Sequence, residues 1–480
     1  MVRIPASELA DLPGPIRALA REIREAGGRG FLVGGAVRDR LRGEPAADWD
    51  LEVHGLSIDR LEEVLSAHGQ VIAVGRAFGV LRLTGIDADF SVPRRDSRIG
   101  TGHRGFRAEL DPALSPEDAV RRRDLTVNAL MLDPLTGEVL DPAGGLADMR
   151  QHRLRAVDPL TFPEDPLRPL RVAQLAARLE YDVDQDLLAL CRSIDLSALP
   201  AERVWDEWEK MLLLGRRPSL GLEFLRAAEL LALTPELQAL IGVLQDPEWH
   251  PEGDVWEHTL RSADAAARLR VGERAADLPL MFGALCHDLG KAVTTELVKG
   301  RWHSYEHEVV GVALAHGMLA RLGAPGWLVT AVGTLVRWHL QPAALHHHGG
   351  GPRAYRRLAR ALQAGGVQIK LLERVARADS LGRTTPEALA GVFPEGDRFL
   401  REAEALAVHD AAPADVVLGR HLIGRGLPPG PGFGPILARC REVQDETGWT
   451  DPDRILDEAL GRSPRPGPTD DPAARARKGR

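Results

Sequence analysis

The sequence predicts an α+β fold in which a mixed sheet with helices at the N-terminal end gives way to an otherwise helical body. Short strand-like runs (31–33, 51–53, 71–74, 80–83 and 88–92) alternate with helical segments up to about residue 155, each bounded by turn-forming residues. From about residue 160 onward Leu and Ala recur at three- and four-residue spacing, as in 167–179, 204–214 and 222–233, the period of a helix with one apolar face. The stretch from Phe31 to Asp50, FLVGGAVRDRLRGEPAADWD, reads as strand, tight turn, helix and loop, and Leu51-Glu52-Val53 begins the next strand.

Along the chain, residues 1–30 read as a helix capped near Ser7 and Pro15, and residues 1–155 as one head domain. Residues 156–250 form a helical neck, closed by the break Gln245-Asp-Pro-Glu-Trp-His-Pro251. A helical region rich in histidine follows at 251–390, then a helical segment at 391–462 that contains the turn-rich Gly424–Gly434. Residues 463–480, basic side chains among Pro, Gly and Ala, read as a disordered tail.

Composition bounds the function. An apolar content of 44% over 480 residues suffices for several ordinary cores. No apolar run reaches membrane-spanning length and the first thirty residues lack a signal-peptide core, so a cytoplasmic protein is expected. Cys191, Cys286 and Cys440 are scattered without paired spacing, which fits a reducing compartment and excludes a cysteine-zinc site. The net charge of −8 argues against a uniformly basic nucleic-acid binder. Local patches remain possible: five arginines and a histidine lie between Arg94 and Arg107, and Arg121-Arg122-Arg123 follows.

The chemistry begins at Gly34-Gly35. Glycine lets backbone N–H groups approach a phosphate chain, while the helix start and Arg38 add positive charge beside Asp39. Asp48-Trp49-Asp50 enters a strand, where residues i and i+2 share a face, so both carboxylates can hold a divalent metal. A nucleoside triphosphate with two magnesium ions fits that arrangement. The alternating run Ile86–Val92 puts Asp87 and Asp89 on one face and makes Asp89 the candidate third carboxylate. Neither GxGxxG nor GxxxxGK[ST] occurs in the chain.

The order glycine pair, Arg-Asp, glycine, DxD resembles the head of the bacterial tRNA nucleotidyltransferase and poly(A) polymerase family, related to polymerase beta. Asp89-Phe-Ser-Val-Pro-Arg94 is similar to that family's third acid, Arg121-Arg-Arg-Asp124-Leu-Thr-Val-Asn128-Ala to its RRDxTxNA motif, and Asp141-Pro-Ala-Gly144-Gly145 to its head–neck hinge. The resemblance implies catalytic Asp48, Asp50 and Asp89, with Arg123 at phosphate or ribose. Glu164-Asp165-Pro-Leu-Arg168-Pro-Leu-Arg171 resembles the EDxxRxxR neck motif. Read physically, Asp165, Arg168 and Arg171 fall at three-residue steps on one helix face. A carboxylate accepts from an exocyclic amino group while an arginine donates to the adjacent ring nitrogen. Cytosine and adenine share that edge, so the protein itself could select CTP and ATP without a template. Pro169 departs from the commoner aliphatic residue.

In the histidine-rich region, Trp-Glu-His258 sits in a helical segment and His287-Asp288 closes an apolar helix. With His307, His339 and Asp379 they resemble the H…HD…H…H…D set of HD phosphohydrolases, including Trp249-His-Pro-Glu-Gly253 ahead of the first histidine. Such ligands suit nickel, manganese, cobalt or iron. Two decoys compete: His303-Ser-Tyr-Glu306-His307 fits an inverted zinc-protease pattern, and His346-His347-His348 reads as a flexible loop. The resemblance, over roughly 30–460, implies addition of CMP and AMP to the 3′ end of tRNA, with hydrolysis at the HD region. A CC-adding or A-adding specialist, a poly(A) polymerase, or a phosphohydrolase with a non-catalytic head are the alternatives.

Overall fold

The computed structural model describes residues 2–4, 11–45, 49–75, 79–98 and 106–461. Ser7, Asp48 and the tail expected at 463–480 lie outside the described residues. The chain forms two compact units, Met1–Gln238 and Ala239–Arg480.

The first unit is built on an eight-stranded mixed sheet. Its strands are β1 (Val2–Arg3), β2 (Arg29–Val33), β3 (Trp49–His54), β4 (Val71–Gly75), β5 (Val80–Leu83) and β6 (Ala88–Ser91), with β9 (Met131–Leu132) and β10 (Glu138–Leu140) returning to it. The order is β1-β10-β9-β2-β3-β6-β5-β4. Between them, β7 (Arg94–Arg98) and β8 (Phe106–Leu110) pair as a separate hairpin. Within this sheet β3 and β6 run parallel, the other described pairs antiparallel, and the β3–β6 register sets Asp50 directly opposite Asp89. The Phe31, Leu32 and Val33 side chains are all buried, as expected of a central strand covered on both faces.

The described helix near the N-terminal end is Gly14–Glu25, with Pro13 at its N-cap and Pro15 in its first turn. Ile16, Leu19, Ala20 and Ile23 are its buried stripe. In the neck, Arg168–Leu179, Ala201–Leu214 and Pro218–Ala227 are the main helices. They pack closely at Gly221, where a Cβ would lie 2.6 Å from the Ala173 carbonyl oxygen and 2.7 Å from the Met211 sulfur. Asp165 departs from expectation: it precedes the Arg168–Leu179 helix with extended backbone (φ −107°, ψ 107°) and does not share its face. The Pro166-Leu167 step delays helix entry, because a residue before proline is pushed out of the α region.

The second unit is helical around Val255–Arg268, Arg274–Cys286, His307–Leu322, Gly326–Trp338 and Ile369–Gly382. A small hairpin, Thr295–Val298 with Arg301–Ser304, escaped the sequence reading because its four-residue strands are too short for an alternating pattern to declare itself. It places His303 on a strand stacked against Tyr305, and Glu306 outside the following helix, so the zinc-protease decoy has no helix to present it. His346, His347 and His348 end the Gln341–His348 helix instead of forming the expected loop; Gly349 stops that helix in the left-handed conformation. Val417, Leu422, Cys440, Val443, Ile455 and Leu456 form a separate small core near the C-terminal end.

Candidate functional site

A cleft of about 440 Å³ in the first unit gathers most of the residues singled out in the head and neck. Gly34, Gly35, Arg38, Asp50, Arg123 and Asn128 line its head side; Asp165, Arg168 and Arg171 line its neck side. Gly34 adopts φ 76°, ψ −147°, a region open to glycine alone. A Cβ there would lie 3.4 Å from Asp50 Oδ2, so the turn brings bare backbone beside the carboxylate.

Asp89 stands next to Asp50 through the β3–β6 register but is engaged by Arg82, whose Nε and Nη2 donate to its two oxygens at 2.6 and 2.8 Å. Arg82 is a residue the sequence did not single out. Its signal lies in the antiparallel pairing of Arg82 with Asp89, a cross-strand charge pair that appears only once the register is known. Two adjacent carboxylates of this kind suit a hard divalent cation.

Arg122 and Arg123 both turn onto the fully buried Glu52, at 2.7 and 3.2 Å. Burial alone would raise the Glu52 carboxyl, but Arg123, His54 and Arg122 outweigh it and hold it at about 2. Arg38 is buried as well, donating to Asp39 at 2.8 Å and to the Asn128 side-chain oxygen at 2.6 Å. Asn128 in turn donates to Asp124 at 3.1 Å. The Arg-Asp and RRDxTxNA residues therefore form one hydrogen-bonded wall beneath the cleft.

On the neck side, Arg168 donates to the carbonyl oxygens of Thr161 and Arg122 at 2.7 and 2.5 Å. Arg171 donates from Nε to Asp124 at 2.7 Å. Burial would raise the Asp124 carboxyl, but the Arg171 charge and the bonds from Arg171, Asn128 and Leu125 N–H hold it at about 2. Asp39 accepts from Arg178 at 2.8 Å. Asp165 keeps a half-exposed carboxylate, steadied by Arg203 at 3.0 and 3.2 Å. The run Glu202–Lys210, which resembles another neck motif of the family and is read as scaffold, contributes Glu207 and Lys210 to the cleft, the two joined at 3.1 Å. Sequence reasoning missed Arg178, which also lines the cleft and whose partner Asp39 is far away in the chain.

In the second unit six predicted ligands converge. His258, His287, Asp288, His307, His339 and Asp379 are each no more than 8% exposed, and they form two triads, His258/His287/Asp379 and Asp288/His307/His339. Each ring is oriented from outside. Nδ1 of His287, His307 and His339 lies 2.8, 2.7 and 2.7 Å from the carbonyl oxygens of Ala284, Ser304 and Val336. A carbonyl only accepts, so Nδ1 carries the proton and Nε2 turns its lone pair inward. His258 does the same through Glu252, 2.8 Å away, a residue noted in the sequence without a role.

Inward, His258 Nε2 is 3.1 Å from Asp379. His287 Nε2 is 3.2 Å from Asp288 Oδ2, and His307 Nε2 is 3.3 Å from Asp288 Oδ1. Burial would raise both carboxyls, yet His287 and Lys291 hold Asp288, and Arg383 and His258 hold Asp379, well below the ordinary range. Lys291 reaches Asp288 at 2.7 Å and Arg383 reaches Asp379 at 3.4 Å. Four inward lone pairs and two carboxylates against these two cations suit further positive charge at the centre, and nitrogen with oxygen donors suits a transition metal.

Residues 30–155 match the family model of the poly(A) polymerase head domain, and residues 255–384 match that of the HD domain. A multifunctional CCA protein of Stenotrophomonas maltophilia is 36% identical over 428 residues, covering 86% of this chain and 97% of the relative. One of Xanthomonas campestris is 36% identical over 426 residues, covering 86% and 96%. Among solved structures, the Bacillus stearothermophilus CCA-adding enzyme in complex with CTP is similar at TM-score 0.63 and 19% identity, covering 97% of this chain and 99% of that one. The Thermotoga maritima CCA-adding enzyme complexed with tRNA is similar at TM-score 0.59 and 16% identity, covering 96% and 99%.

Proposed function

The chain belongs to the family of bacterial multifunctional CCA proteins, and from that premise we propose which of its residues carry each activity. It is a tRNA nucleotidyltransferase that extends the 3′ end of tRNA with CTP and ATP. The observation that carries the assignment of residues is the single cleft in which Gly34, Gly35 and Asp50 face Asp165, Arg168 and Arg171.

In this reading Gly34 and Gly35 admit the triphosphate, and Asp50 and Asp89, with Asp48, hold magnesium. Magnesium, when bound, supplies Lewis acidity at the reacting phosphate and neutralises charge on the leaving pyrophosphate. Arg82 guards Asp89 and yields it when the site is loaded. Asp165 accepts the exocyclic amino group of cytosine or adenine, and Arg168 and Arg171 fix the wall against which the base lies. Arg38, Asp39, Arg123 and Asn128 act chiefly by holding that wall.

The HD region is read as a second, phosphohydrolytic centre for 2′,3′-cyclic or 2′ phosphates on damaged tRNA ends. Its geometry favours two ions of the nickel, manganese, cobalt or iron class. His258, His287 and Asp379 would take one and His307, His339 and Asp288 the other, because the two Asp288 oxygens face opposite triads. Such ions, when bound, supply the Lewis acidity for phosphoester hydrolysis. No described helix is long and apolar enough to cross a membrane, and three buried cysteines without disulfides support placing the protein in the cytoplasm.

The test is direct. The protein is incubated with tRNAs ending before the first C, the second C and the final A, with CTP or ATP supplied singly, and the products are sequenced. Extension of all three to CCA is the expected result. Extension of one class alone makes it a CC- or A-adding specialist, and untemplated A-tracts on other RNAs would overturn the reading.

A further inference from the structure

We propose that a second pocket of the first unit, outside the transfer cleft, binds a phosphodiester and one base of the RNA substrate. The proposal rests on the tRNA reading above. The pocket measures about 590 Å³ and is lined by Arg42, Arg150, His152, Tyr181, Arg216 and Arg217, with Glu180 its one acid.

Its floor is aromatic. His152 and Tyr181 stack with ring centroids 5.0 Å apart and planes 5° from parallel, and the Arg42 guanidinium sits 5.2 Å from the Tyr181 ring. Tyr181 is 4% exposed while His152 is exposed. One face of the imidazole is thus covered by tyrosine, which leaves a stacking surface beside fixed cations, the pairing by which proteins hold single-stranded nucleic acid.

The cations are not fully engaged. Arg216 is paired with Glu44 at 2.5 Å. Arg42 has a guanidinium nitrogen, Nη1, that is buried with no hydrogen-bond partner. Among the described residues, exposed Arg150 takes part in no ion pair or side-chain hydrogen bond. A buried donor without an acceptor costs free energy that an acceptor oxygen would recover. His152 and Glu180, both at the pocket, also hold positive φ of 51° and 58°, and such conformations concentrate at ligand clamps.

The chemistry favours a phosphodiester over a free nucleoside triphosphate. A triphosphate arrives with magnesium and needs carboxylates and close backbone amides, as at Gly34 and Asp50; this pocket offers one acid and spread arginines. Its place agrees. The Gly35–Leu41 and Arg168–Leu179 helices present Gly35, Arg38, Arg168 and Arg171 to the transfer cleft, and Leu41 and Leu179 to the second pocket. From Arg171 to Leu179 the helical rise amounts to roughly 12 Å, so a strand whose 3′ end lies in the cleft could reach it.

The test uses the full chain carrying Arg150→Ala, Arg150→Lys or His152→Asn; asparagine tolerates the left-handed backbone but removes the ring. Fluorescence anisotropy measures the Kd for a tRNA lacking its terminal CCA across a salt series. Arg150→Ala should weaken binding and flatten the slope of log K against log salt by about 0.7–0.9, one phosphate contact. Arg150→Lys should restore both. His152→Asn should weaken binding at least about fivefold, the lower end of one lost stack, without changing the slope, and KM for tRNA should rise in both weakened variants while KM for CTP stays constant. Unchanged Kd and slope in variants that keep the wild-type Tm would overturn the proposal. So would a fall in ATP bound per chain, by equilibrium dialysis, with tRNA affinity intact. Absence of CTP incorporation by the wild-type protein, with tRNA binding weakened in the variants as above, would count against the transfer reading instead.

Discussion

The transfer cleft and the histidine cage both gather polar groups from distant parts of the chain, but they solve opposite electrostatic problems. In the cleft the arginines are already spent on carboxylates and carbonyls: Arg171 on Asp124, Arg123 on Glu52, Arg168 on Thr161 and Arg122. Those bonds stiffen a wall and leave a few open carboxylates to act. In the cage the rings are proton-bound outward and lone-pair-bearing inward, and these lone pairs with two carboxylates outnumber the two cations beside them, Lys291 and Arg383. In the proposed roles, one site would receive a large charged substrate in water and the other would retain a small cation away from it.

The sharpest way to break this contrast is to remove one centre and assay the other. Asp50→Ala should lower nucleotide incorporation by at least about a thousandfold, several kcal/mol of transition-state stabilisation, with phosphoesterase activity and tRNA binding retained. Asp288→Ala should do the reverse. Incorporation by Asp50→Ala at the wild-type rate would remove the cleft from the mechanism.

Next in size is the wall itself. Arg171→Ala leaves the buried Asp124 carboxylate without its partner and should destabilise the first unit by about 3 kcal/mol, read as a lower midpoint in urea. Acid separates this pair from other contacts. The folded Asp124 sits at about 2 against an ordinary 3.8, so its contribution is complete above about pH 4 and is lost as pH falls toward 2. The stability gap between wild type and Asp124→Asn should therefore close over that window; a gap constant from pH 5 to pH 2 would refute the pairing.

Smaller effects sharpen the reading. Asp165→Ala should reduce CTP and ATP use roughly tenfold to a hundredfold and narrow the margin over UTP and GTP, since a lost amino-group acceptor is worth about 1–3 kcal/mol. Full discrimination in steady-state kinetics would move base selection elsewhere. Glu252→Gln, which weakens the acceptor behind His258, should lower transition-metal affinity by about tenfold and leave incorporation unchanged; titration calorimetry with manganese reads the difference.

The sequence was informative where chemistry follows a local period and silent where it depends on pairing. Asp50 was legible from strand alternation, and His287-Asp288 from its position at the end of an apolar helix. The Asp165–Arg168–Arg171 steps were read as one helix face, but the proline after Asp165 keeps that residue extended. Arg82 and Arg178 could not be found locally, because their partners lie 7 and 139 residues away. The short hairpin at Thr295–Ser304 was missed for want of length, and the helical end of Gln341–His348 because a histidine run followed by glycines carries no period.

The bonds that cross between head and neck restrict how this protein can be recombined. Asp39 with Arg178, Asp124 with Arg171, and the Arg122 carbonyl with Arg168 each draw one partner from either side of residue 155. A chimera that kept this head and took its neck from a relative with different residues at those places would bury carboxylates opposite the wrong groups. Each mismatch should lower the stability of the first unit, as is expected of Arg171→Ala. Head and neck, as far as Gln238, form one compact unit, and a stable exchange would move them together.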